Sequence, residues 1–194
     1  APHAALTAWG MVVELAKAHE GQRVLVHAGT GAVGHFAIQF AAYFGAHVIA
    51  TTPSANHSWL RALGAAEVVD EAATGYDPTA LGDTVDVVID PASDLERATR
   101  SLALIRPGGL LALHVPAGVD PGLAEAAVAA GIRATGYTVA PDGSTLAVIA
   151  RLLETGSVRV HVDRIFPLDE IAEAHRAIEH EHTKGAIVLK VAEG

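Results

Sequence analysis

Three glycines carry the strongest chemical signal in this chain. Gly29, Gly31 and Gly34 fall within Val24-Leu-Val-His-Ala-Gly29-Thr30-Gly31-Ala32-Val33-Gly34, a G-x-G-x-x-G spacing. The run follows an apolar stretch and opens a helical pattern, the context in which such glycines cradle a dinucleotide pyrophosphate. On that reading Gly29 permits the tight turn and Gly31 lets backbone approach the phosphates. Gly34 lets the helix pack close to the strand. A helix starting near Ala32 adds amide N–H groups and a partial positive charge, worth about 0.3–1 kcal/mol per anionic charge held. Thr30, Ala32 and Val33 complete the cradle. The competing reading is a glycine turn that only packs.

A second group follows the next apolar run. Thr51, Thr52 and Ser54 stand about 20 residues past the glycines, where an NAD-preferring site places an acid for the ribose hydroxyls. Hydroxyls tolerate a 2′-phosphate where a carboxylate repels it, which leans the reading toward NADP(H). NAD(H) stays open, because no Arg or Lys follows until Arg61. Thr52-Pro53-Ser54 also reads as a plain turn. Asp90, at the end of a later apolar run, reads either as a cap for the next turn or as a proton donor. His114 is the best candidate for an acid.

The chain has eleven histidines. His175, His180 and His182 lie near Glu179 and Glu181. His180 and His182 are two residues apart, so they do not share a helix face. With no Cys and no His-Glu-x-x-His, they read as a solvated helix end, and no metal site is expected. His27 is expected within strand packing and His35 on the following helix. No Gly-x-Ser-x-Gly elbow marks a hydrolase.

These groups need a scaffold, and the apolar pattern describes one. Helices are expected at Ala4–Ala18 (ended by Gly21), Val33–Phe44, Asn56–Leu63, Asp94–Leu104, Pro121–Ala130, Gly143–Glu154 and Leu168–His180. Asp77-Pro78 reads as a capped helical turn. Strands are expected at Arg23–His27, His47–Thr51, Glu67–Asp70, Val85–Asp90, Leu110–Val115 and Ile132–Val139. Pro107-Gly108-Gly109 reads as a turn into the fifth. These six runs are unbrokenly apolar, as strands buried on both faces are. The alternation predicts an α/β doubly wound parallel six-stranded Rossmann sheet in the order 3-2-1-4-5-6. Two later strands, Arg159–Phe166 and Ala186–Val191, differ: the first is polar and alternating, as if part of another layer.

Composition narrows the classes. The chain has 194 residues, 51% hydrophobic, with a net charge of −9. The apolar fraction supports a packed core. The acidic balance argues against a nucleic-acid surface. No apolar run reaches the roughly 18 residues of a membrane helix, so no membrane partner is expected. Zero cysteines exclude disulfides and thiolate chemistry and fit a reducing compartment, the cytoplasm.

With these residues in view, the chain resembles the medium-chain dehydrogenase/reductase superfamily. It is most similar to the zinc-independent quinone oxidoreductase branch, the zeta-crystallin-like enzymes. The resemblance rests on Leu6-Thr7-Ala8-Trp9, the loop His27–Gly34, Val85–Asp90 and Leu104–Gly109. In the tail it rests on Arg164–Glu170, Ala174-His175 and His182–Leu189. It implies NADPH-dependent hydride transfer to a quinone or activated enone. It also implies Thr7 at the nicotinamide end, Gly31, Ala32, Val33 and Gly34 on the pyrophosphate, and Thr51, Thr52 and Ser54 at the ribose. Asp90 would lie along the cofactor, with His114, Val115 and Val139 near the nicotinamide.

The family carries a β-rich catalytic domain ahead of the residues matched here. Residues 1–142 are therefore expected to form the dinucleotide domain and 143–194 the return segment of that catalytic domain, its two strands leaving unpaired edges. A homodimer through the edge strand 132–139 is expected. The chain departs from the pattern at Ala55, where relatives often carry a basic residue, and at Gly185-Ala186, where they read Gly-Lys. A cofactor-binding module without stand-alone catalysis is the alternative. A short-chain reductase fits less well, because none of Tyr43, Tyr76 and Tyr137 has a Lys four residues on.

Overall fold

The structure, a computed structural model, describes residues 2–70, 81, 83–180 and 183–191. The expected turn at Asp77-Pro78 lies outside the described residues. Six parallel strands form the main sheet: β1 (Arg23–Val26), β2 (His47–Thr51), β3 (Glu67–Val69), β4 (Val85–Asp90), β5 (Ile105–Leu113) and β6 (Arg133–Gly136). Their order is β3-β2-β1-β4-β5-β6, as the alternation of apolar runs and helices predicts. Right-handed crossover through short helices leaves few other arrangements.

Helices α1 (Pro2–Trp9), α2 (Gly34–Tyr43), α3 (His57–Ala62), α4 (Leu95–Ser101), α5 (Pro121–Ala129) and α6 (Gly143–Glu154) accompany the sheet. One core joins α1, α2 and α6 to the sheet through Met11, Phe36, Phe40, Val24 and Ile149. There Trp9 meets the Phe40 ring edge-on at 5.3 Å. A second core joins α4 and α5 to the sheet through Leu25, Val88, Ala98, Leu111 and Leu123. Each fully buried large side chain contributes about 1.5–3 kcal/mol, and that sandwiching explains the unbroken apolar strands.

Several boundaries differ from the sequence reading. The leading helix is regular only to Trp9 and widens into a π-helical turn over Gly10–Leu15. Tyr137 lies against Gly10 there: a Cβ on Gly10 would come within 1.8 Å of its ring. Lys17, at φ 51°, turns the chain out before Gly21 is reached. The Pro107-Gly108-Gly109 turn is a bulge inside β5, where the register against β4 shifts between Val85 and Val87. Strand β6 spans Arg133–Gly136 rather than Ile132–Val139: at its start the N–H of Ile132 donates to the carbonyl of Ala127, and at its end pairing with β5 stops at Leu113.

The tail forms a small unit of its own. Strand β7 (Val162–Pro167), helix α7 (Ile171–His180) and strand β8 (Ala186–Lys190) make a parallel pair with a helical crossover. The two tail strands, expected to leave unpaired edges, pair with each other, and among the described residues no further strand covers their outer edges. A dozen or more residues separate them, enough for the crossover that parallel pairing requires. The unit is fastened to the first layer at three points. The Gln39 side chain donates to the carbonyl of Arg159 at 3.0 Å and accepts from its N–H at 2.8 Å. The N–H of Gly185 donates to the carbonyl of Thr30 at 2.7 Å. Trp59 packs on His161 at 4.9 Å. Ile149, Leu152 and Val158 belong to the same core as Val24 and Phe36, so α6 is built into the main layer.

Candidate functional site

The strand order reverses between β1 and β4, which opens a crevice at their carboxyl ends, where doubly wound sheets bind ligands. The glycine loop lines it. Gly34 permits the close helix–strand approach expected of it: a Cβ there would sit 2.2 Å from the carbonyl oxygen of Ala28. Gly31 faces open space apart from that same oxygen at 3.3 Å. The loop turns at Gly29-Thr30, closed by the N–H of Gly31 on the carbonyl of Ala28 at 3.0 Å, and Ala28 just before it is left-handed at φ 49°. Gly29 is needed for room, since a Cβ would lie 2.8 Å from Leu60 Cδ1 and 3.0 Å from Ile38 Cδ1. Ser93, just past β4, is also left-handed at φ 52°. Non-glycine residues in that region cost of order 1 kcal/mol or more and gather at functional sites. Thr30 and Val33 are half-buried and Ala32 is exposed.

On the β2 side, Thr51 and Thr52 are buried and Ser54 is exposed. Among the described residues Thr52 Oγ1 is a buried polar atom with no hydrogen-bond partner. Its neighbour Ser54 donates its N–H to Asp70 Oδ2 at 3.0 Å. Asp70 follows β3, so the sheet brings a carboxylate to a turn that has none in the local sequence. Sequence reasoning missed it, because only the pairing of β2 with β3 puts the two residues together.

Asp90 is fully buried at the end of β4. Its Oδ1 accepts from the N–H groups of Ala92 (3.1 Å) and Ser93 (3.0 Å). The Arg97 guanidinium binds both oxygens, Nη2 to Oδ1 at 2.7 Å and Nε to Oδ2 at 3.0 Å. This is the strand-end cap that the sequence offered beside the proton-donor reading.

His114 and Val115 lie just past β5 and are half-buried, and Val139 lies beyond the end of β6. Burial lowers the His114 pKa below the ordinary histidine value, and the nearby His3 lowers it further. The His3 and His114 rings meet edge-on at 6.1 Å, a contact the sequence did not suggest. Thr7 is fully buried and turns its hydroxyl back to the carbonyl of His3 at 2.9 Å. His35 is buried, with Nδ1 on the carbonyl of Gly31 at 3.1 Å. Desolvation holds its pKa below the ordinary value despite that bond.

A pyrophosphate-linked dinucleotide fits these residues. Gly34, close-packed on Ala28, and the open Gly31 would form its cradle, and the start of α2 would supply amides. Among the described residues no three His, Cys, Asp or Glu side chains group as metal ligands. His182 and Glu181 lie outside the described residues. Among the described residues no helix is long and apolar enough to cross a membrane.

Residues 63–189 match the family model described as zinc-binding dehydrogenase. A mitochondrial NAD(P)H oxidoreductase of Danio rerio is 28% identical over 99% of this chain and 56% of its own length. The solved quinone oxidoreductase of Coxiella burnetii superposes with a TM-score of 0.88 at 32% identity, over 97% of this chain and 58% of that one. A mycobacterial protein solved with NADPH superposes with a TM-score of 0.79 at 25% identity, over 97% and 62% respectively. The chain thus spans little more than half the length of the relatives it resembles. The family model spans more than half of the chain, and the chain belongs to the zinc-binding dehydrogenase family of the medium-chain dehydrogenase/reductase superfamily.

Proposed function

We propose that this chain is the cofactor-binding portion of an NAD(P)H-dependent oxidoreductase of the quinone oxidoreductase type. Its substrate is a quinone or an activated enone. The observation that carries the reading is the crevice between β1 and β4: a glycine loop with Gly34 packed on Ala28 and Gly31 open. The bound cofactor supplies a hydride from its nicotinamide ring; the chain binds it, orients it and excludes water. Gly31, Ala32, Val33 and Gly34 hold the pyrophosphate, Thr51, Thr52 and Ser54 face the adenosine ribose, and His114 and Val115 flank the nicotinamide. Since relatives run well beyond this chain, turnover belongs to the whole protein, and the chain alone acts as a binding module.

The hydroxyl trio supports NADP(H). A second reading, NAD(H), is favoured by Asp70 beside Ser54, because a carboxylate there repels a 2′-phosphate. We place the protein in the cytoplasm from its cysteine-free composition, whereas relatives carry mitochondrial names. Strand β6 ends the sheet, and its free edge supports a homodimer, which sedimentation at micromolar concentration tests. Fluorescence titration with NADPH and NADH tests the main reading. Binding of one or both is expected; binding of neither overturns it.

A further inference from the structure

His35 follows Gly34 directly and is fully buried. It holds one atom of the glycine loop twice. Its backbone N–H donates to the carbonyl of Gly31 at 3.1 Å, and its ring Nδ1 lies 3.1 Å from the same oxygen. A carbonyl can only accept, so Nδ1 carries a ring hydrogen. Burial disfavours the charged ring and holds its pKa below the ordinary histidine value, so near neutral pH the other nitrogen, Nε2, is bare. Nε2 is buried and, among the described residues, has no hydrogen-bond partner. An unpaired buried polar atom costs about 1–3 kcal/mol. An apolar side chain would fill the same space without that cost, so the bond from Nδ1 is what the imidazole adds.

The doubly held carbonyl fixes the peptide between Gly31 and Ala32. A peptide is planar and trans, so its carbonyl and its N–H point in opposite directions. With the Gly31 carbonyl drawn toward α2, the N–H of Ala32 points the other way, out of the helix start, and Ala32 is exposed there. The preceding peptide uses both of its groups within the protein. The carbonyl of Thr30 accepts from Gly185 at 2.7 Å, and the N–H of Gly31 donates to Ala28 at 3.0 Å. Gly31 therefore offers a phosphate room rather than a donor, and the donor comes from Ala32. We infer that His35 is a positioning residue for the dinucleotide: it holds the Gly31–Ala32 peptide so that the Ala32 N–H faces the pyrophosphate. The inference rests on the dinucleotide reading above. The His35 ring acts through that peptide and does not itself meet the cofactor.

Two substitutions separate positioning from stability. His35→Asn keeps an N–H donor where Nδ1 stands, and a short polar side chain on a helix can reach the carbonyl four residues back. His35→Leu fills the buried space but removes both the donor and the unpaired nitrogen. The Leu variant should melt at or above the Asn variant, because Asn leaves a gap and a buried oxygen. Affinity should run the other way. In a fluorescence titration with whichever of NADPH and NADH the parent binds more tightly, His35→Asn should bind within about twofold of the parent, and His35→Leu about fivefold or more weakly. His35→Leu binding within about twofold of the parent, or affinities that follow melting temperature, overturns the inference and leaves His35 a core residue.

Long-range proton–nitrogen NMR on the parent chain provides a readout that needs no variant to fold. Near neutral pH it should find the His35 ring neutral with its hydrogen on Nδ1, and the Nε2–H tautomer overturns the inference alone. Failure of the parent to bind either NADH or NADPH overturns the dinucleotide reading and this inference with it.

Discussion

Replacing Arg97 by Met would show whether Asp90 is a structural cap or a cofactor ligand. Asp90 is fully buried, while the Arg97 side chain is 15% exposed. Met keeps most of the apolar stem and removes the guanidinium. Asp90 then loses its bonds at 2.7 and 3.0 Å and retains only the amides of Ala92 and Ser93. Stranding one member of a buried ion pair costs about 3–5 kcal/mol. For a chain of this length each kcal/mol is worth about 2–4 °C, so the melting temperature should fall by about 6–20 °C.

Adding Asp90→Asn should recover part of that loss, because the uncompensated charge disappears. The two single effects should then exceed the double by about 1–3 kcal/mol. Thermal unfolding of the four proteins measures the cycle. A loss below about 1 kcal/mol for Arg97→Met, or simple additivity, would refute the argument. If Asp90→Asn leaves melting unchanged but abolishes dinucleotide binding, Asp90 is a ligand and the cap reading fails.

Three further outcomes follow from the geometry. Gly34→Ala places a methyl 2.2 Å from the Ala28 oxygen, so it should cost about 1–3 kcal/mol and remove dinucleotide binding in a fluorescence titration. Gln39→Leu breaks both bonds to the Arg159 backbone; it should destabilise the chain by about 1–3 kcal/mol and change Trp59 fluorescence as the tail unit loosens. Asp142 caps α6, and bonds from Ser144 and Thr145 lower its pKa to about 2. A carboxylate with a depressed folded pKa stabilises above its unfolded value and loses that contribution as pH falls through the folded one. The melting difference between the parent and Asp142→Ala should therefore be full at neutral pH and shrink as pH falls toward about 2.

Some elements were legible in the sequence at their observed bounds. The strands His47–Thr51 and Val85–Asp90 and the helix Gly143–Glu154 match their predicted spans, because each has an unambiguous apolar period with turn residues or a cap at its ends. The π-helical turn at Gly10 was not legible, since Tyr137 lies far away in the chain. Nor was the early end of β6, which depends on where β5 stops. In the glycine loop the spacing pointed to the turn at Gly29, but not to the left-handed residue before it. Local preference assigns a left-handed position to glycine, whereas here Ala28 holds it, and Leu60 and Ile38 pack where a side chain on Gly29 would go.

By itself, the sequence determined the α/β class and the strand order. Hydrophobic period, turn chemistry and chain-connection rules are local, and together they admit almost one topology. The tertiary structure alone decided what faces what. It set Asp70 beside Ser54, His3 beside His114, and Gly185 on the carbonyl of Thr30. It also paired the two tail strands and joined His27 to Thr51 and Ser101. Each of these contacts joins residues remote in sequence, and no local propensity encodes a distance between them.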